Sequence, residues 1–128
     1  MTATGTLFFE FDEGDAGTMV GVNFAKFVPD RHSLHLLPSV VKGYYPGPVR
    51  YVLLEPADAV LTAAVGADEA ARLSHGTVRS TSLSVKVVMS KYTASVDCDA
   101  RSYFASVVAV EPVRDAQVAT LLDPPHGC

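Results

Sequence analysis

The clearest signal along this chain is a change of hydrophobic period. From Leu83 to Met89 the positions alternate, with Leu83, Val85, Val87 and Met89 on one side and Ser82, Ser84, Lys86 and Ser90 on the other, Val88 being the exception. A period of two is that of a strand with one face buried and one wetted. From Tyr103 to Val110 the alternation gives way to a nearly continuous apolar run, so this second strand is expected to be covered on both faces. Pro112, which has no N–H for a ladder, ends it. The stretch between them, Tyr92 to Ala100, lacks the Asn-Gly or Asp-Gly of a tight two-residue turn, and a long or bulged hairpin is expected.

Upstream, Thr6 to Phe11 predicts a strand with Leu7, Phe9 and Phe11 on one face, followed by a turn over Asp12 to Gly17. Met19 to Val28 predicts its partner, with Val20, Val22 and Phe24 inward and Gly21, Asn23 and Ala25 outward. Phe27 and Val28 fall out of that phase, which places a bulge near Ala25-Lys26. Between Asp30 and Pro38, Ser33 to Leu37 reads as a strand fragment; Val40-Val41 reads as another, and Gly43 to Pro48 as an irregular loop. Val49 to Leu54 is a further strand, stopped by Glu55-Pro56.

Ala57 to Gly76 is the one strongly helical stretch, alanine-rich and without internal proline. Asp58 is the expected N-cap, Gly66 the interruption, His75-Gly76 the stop, and Val60, Leu61, Ala64, Val65 and Leu73 the buried stripe. Val118, Leu121 and Leu122 have helical spacing and predict a short C-terminal helix within Arg114 to Leu122.

The fold class these elements define is mainly β. The order of strand, strand, loop-rich insert, strand, helix, strand, strand is that of a small antiparallel β-barrel of the oligonucleotide/oligosaccharide-binding (OB) type, with the helix ahead of the last two strands and plugging one end. One domain is expected over residues 1–123 and a flexible tail over 124–128. A chain of 128 residues that is 48% hydrophobic can bury a core without a metal or a disulfide scaffold.

Charge and chemistry narrow the functional classes. A formal net charge of -4 works against non-specific binding of nucleic acid or of an anionic membrane surface. No apolar run approaches the roughly 20 residues of a membrane helix, and Met1 to Gly5 has no signal-peptide character. A cytoplasmic location is therefore the expectation, or the cell envelope if a leader has been removed. Cys98 and Cys128 are too few for a zinc site and are expected to be free thiols.

Tyr92, Asp97, Asp99 and Arg101 cluster around Cys98. Two flanking carboxylates raise the pKa of a thiol, so Cys98 makes a poor nucleophile. Asp12-Glu13-Gly14-Asp15 lacks the ligand spacing of a calcium loop, His32 and His35 lack a third metal ligand, and no Gly-x-Ser-x-Gly elbow or phosphate-binding glycine loop is present. No metal or cofactor is expected. Tyr44 and Tyr45, in a proline-bound loop, offer broad contact area at low entropic cost.

The reading is a non-enzymatic module that binds a protein partner through the Tyr44-Tyr45 loop and the loop carrying Tyr92, Asp97, Asp99 and Arg101. The alternative is a single-stranded nucleic acid or an oligosaccharide on the barrel face. There Tyr51, Tyr103 or Phe104 would stack, and Arg50, Arg79, Lys86, Lys91 and Arg101 would supply positive charge. A hydrolase with an unrecognised site is a third class.

Overall fold

The computed structural model describes residues 1–34, 36–37, 50–97, 100–113 and 119–120. The chain opens with β1 (Thr2–Glu13), which buries Ala3, Leu7, Phe9 and Phe11 as period-2 alternation requires. A 3-10 turn at Asp15–Gly17 leads into β2 (Met19–Pro29), and α1 (Arg31–Leu34) follows. Then come β3 (Val52–Glu55), α2 (Ala57–Val65), α3 (Ala67–Ser74), β4 (Ser80–Asp97), β5 (Ala100–Pro112) and β6 (Ala119–Thr120).

Five strands pair in a closed ring. β1 lies between β2 and β4, β2 pairs with β3, β3 with β5, and β5 returns to β4. The sequence predicts wholly antiparallel pairing, and the structure departs from it because β3 and β5 run parallel. The reason is topological: α2, α3 and β4 intervene between them, and that long connection brings the chain back in the same direction. Closing the ring satisfies edges that strands this apolar would otherwise expose.

One core fills the interior, formed by Leu7, Phe9 and Phe11 of β1, Ala25 and Phe27 of β2, Val52 and Leu54 of β3, Leu83, Val85, Val87 and Met89 of β4, and Tyr103 and Ala105 of β5, among others. α2 packs on β2, β3 and β5 and adds Val60, Leu61 and Ala64; α3 adds Ala70 and Leu73. Gly66 separates the two helices at a φ of 89°, as expected from its position. Asp58 is not the N-cap: Pro56 occupies that place, and the Asp58 carboxylate instead accepts the Ala59 N–H at 2.8 Å.

β4 keeps the expected phase, with Leu83, Val85, Val87 and Met89 buried and Ser84, Lys86 and Ser90 exposed. Its partner β5 departs from expectation, because it is not covered on both faces. The register advances by one residue in β4 but two in β5 between Val88↔Ala109 and Met89↔Val107, which makes Val108 a bulge residue, 64% exposed. Ala109 is exposed beside it, while Val107 and Val110 turn toward the core. A second irregularity, between Ser90↔Ser106 and Thr93↔Phe104, adds a residue to β4 where Lys91 adopts a φ of 54°.

Beyond that point the two strands stay paired to Asp97↔Ala100, leaving only positions 98 and 99 between them. Of the expected long or bulged hairpin it is the bulged form that is found, and Thr93 to Asp97, expected in the connecting loop, are paired strand. Backbone pairing carries the hairpin further than the side-chain pattern reveals.

β2 also contradicts its expected facing. Two extra residues lie in β2 between Met19 and Phe24, relative to β1, one of them near Gly21 with a φ of 122°. Met19, Ala25 and Phe27 are buried, Val22 packs on the core, and Val20 is 60% exposed. The bulges therefore lie ahead of Ala25-Lys26, and Phe24 faces outward.

Two further expectations change. Ser33 begins no strand, since it lies in α1, where the Asp30 carboxylate accepts the Ser33 N–H at 2.8 Å and caps the turn. Residues 119–120 belong to no helix; they pair with Thr81 and Ser82, because a short uncapped helix is marginal whereas β4 offers strand-pairing groups there. Val40-Val41, the Gly43 to Pro48 loop, Cys98, Cys128 and the tail at 124–128 lie outside the described residues.

Candidate functional site

The bulges in β2 create the most distinctive surface of the ring. With Ala25 and Phe27 turned inward, Phe24 and Lys26 project from the outer face. Lys26 sits in a row between Phe8 of β1 and Leu53 of β3, and Phe24 lies opposite Glu10 of β1. Tyr51, two residues before Leu53, completes the group.

The Lys26 ammonium lies 4.5 Å from the centroid of the Phe24 ring and 4.7 Å from that of Tyr51, within the range of cation–π attraction. Phe24, Tyr51, Phe8 and Leu53 are half-buried, whereas Lys26 is only 5% exposed. Burial lowers the pKa of the amine, and the carboxylate of Glu10 partly opposes that shift. The result is a mainly apolar, aromatic platform with its cation held inside it.

The sequence names Tyr51 for this face but assigns Phe24 to the interior and does not single out Lys26. A lysine in a strand is ordinarily read as a solvated position. The one hint is the out-of-phase Phe27, which shows that the facing of the Phe24-to-Val28 segment differs from that of Val20-Val22.

The other expected binding residues do not converge on described geometry. Tyr44, Tyr45 and Asp99 lie outside the described residues, and Asp97 and Arg101 are described only by their backbone pairing with Ala100 and Val96. Tyr92 is half-buried and stacks on Tyr103, with ring centroids 5.9 Å apart and planes inclined by 23°. Burial, reinforced by the neighbouring Tyr103, raises the Tyr92 hydroxyl pKa above its ordinary value, so it stays protonated.

Tyr103 is 3% exposed and belongs to the core, which removes it as an external stacking residue. Among the basic residues considered, Arg79 pairs with Glu13 at 2.7 Å, Lys86 lies opposite Glu111, and Arg50 and Lys91 are exposed.

One polar cluster resembles chemistry but serves structure. Thr4 Oγ1 donates to Asp30 Oδ2 at 2.6 Å, the Thr4 N–H donates to Ser33 Oγ at 2.8 Å, and Ser33 Oγ lies 3.0 Å from Thr4 Oγ1. The Thr4 hydroxyl, and after it the Ser33 N–H, hold the Asp30 carboxyl below the usual carboxylate range. Ser33 is buried and hydrogen-bonded to Thr4, and the cluster fastens α1 to β1. Among the described residues no group of three or more His, Cys, Asp or Glu side chains is placed to hold a metal ion, and no helix is long and apolar enough to cross a membrane.

Comparison of the chain with protein-family models, with curated proteins and with solved structures found no match.

Proposed function

We propose that this chain is a non-enzymatic binding module, an OB-type barrel that receives a protein partner on and around the outer face of β1, β2 and β3. The ring order β1-β2-β3-β5-β4, the parallel β3–β5 pair and the helices between β3 and β4 support the OB-type reading. The observation that carries the binding reading is the Phe24–Lys26–Tyr51 platform. Half-buried aromatic rings on a rigid sheet provide contact area with little entropy to lose, as anchors of protein interfaces do. The Tyr44-Tyr45 loop enters the chain between β2 and β3, next to this face in sequence.

A protein partner is favoured over nucleic acid because Lys26 is engaged by two rings and the net charge is -4. A second reading keeps one specific support: Tyr51 and Phe24 on the β2–β3 face are suitably placed for stacking a base or a sugar ring.

The test uses the wild-type chain and a Phe24→Ala/Tyr51→Ala variant whose fold is first verified by melting. A partner is captured with wild type from the source cells, purified, and titrated against both by calorimetry. Loss of at least about tenfold in affinity, roughly 1.4 kcal/mol, is expected for the variant; unchanged affinity rejects the platform as the site. Titration with a fluorescent oligothymidine at low and high salt, and with neutral oligosaccharides, runs in parallel. Binding of either probe that depends on the two rings would replace the protein reading with the second one.

A further inference from the structure

We draw no further inference here: the strongest candidate, the apolar patch at the bulge of β5, where Val108, Ala109 and Val113 are exposed on the outside of the ring, carries nothing because nothing in the structure shows what covers it.

Discussion

Two side chains show how little a residue's type says about its role. Thr81 continues the buried phase of β4 opposite Phe9 and is 2% exposed, yet its hydroxyl has no hydrogen-bond partner among the described residues. A buried hydroxyl without a partner loses its hydration and recovers nothing. Thr81→Val should therefore raise stability by about 1 kcal/mol in urea unfolding, and a fall would mean that the hydroxyl is bonded. Asp30 is the opposite case, an exposed carboxylate with three donors around it. Because its folded pKa lies below the unfolded value of about 3.9, its stabilisation is present above that value and is lost as pH falls through the folded pKa. Asp30→Ala should cost about 1 kcal/mol at neutral pH, as N-cap losses do. The gap from wild type should hold at neutral pH and close as pH falls below about 3.9 through the lowered folded pKa. A gap that persisted at the acid end would show that the ionised carboxylate is not the stabilising group.

Among the elements, β2, β4 and β5 are shaped by residues in excess of their partners. Each bulge shifts the facing of the residues beyond it: Val108 is turned out beside a core strand, and the extra residue between Val22 and Phe24 in β2 leaves Phe24 outside while Val22 packs on the core. Val85 and Val108 are both valines in adjacent paired strands, with no and 64% exposure respectively. Val85→Asp should lose several kcal/mol, enough to unfold a protein of ordinary stability. Val108→Asp should change the melting free energy by less than about 1 kcal/mol. Equal damage from the two, read by thermal melts, would place Val108 in the interior and cancel the bulge.

For the whole molecule, closure of the ring needs β1 paired on both sides, and at Gly5 the backbone of β2 comes close to it. Gly5 pairs with Val85 of β4 and with Pro29 at the end of β2, and a Cβ placed on it would come within 2.2 Å of the Val28 carbonyl oxygen. That oxygen belongs to the backbone, so no rotamer change relieves the overlap. Gly5→Ala should cost more than about 2 kcal/mol, with the β1–β2 edge exchanging amide hydrogens faster than the β4–β5 pair. Protection that fell evenly, or stability that stayed at the wild-type level, would mean the two strands can separate at Gly5 without strain.

Wherever local pattern and burial coincide over an uninterrupted run, the amino-acid order was sufficient. Leu83 to Met89 on the inside of β4, Leu7 to Phe11 on the inside of β1, and the alanine-rich helices broken at Gly66 are all legible, because each signal needs only neighbours a few residues away. The parallel β3–β5 pair, the closure of β1 on β4 and the extra residues in β2 and β5 were decided by tertiary structure, since strand partners and register are relations between distant segments. The candidate site falls in that second group. Tyr51 is recognisable as an aromatic on a strand, but it meets Phe24 and Lys26 only because bulges ahead of Phe24 set the facing of β2 and because β3 pairs beside it. A lysine reads from sequence as solvated; here its ammonium lies over the rings of Phe24 in β2 and of Tyr51 just ahead of β3, and burial lowers its pKa.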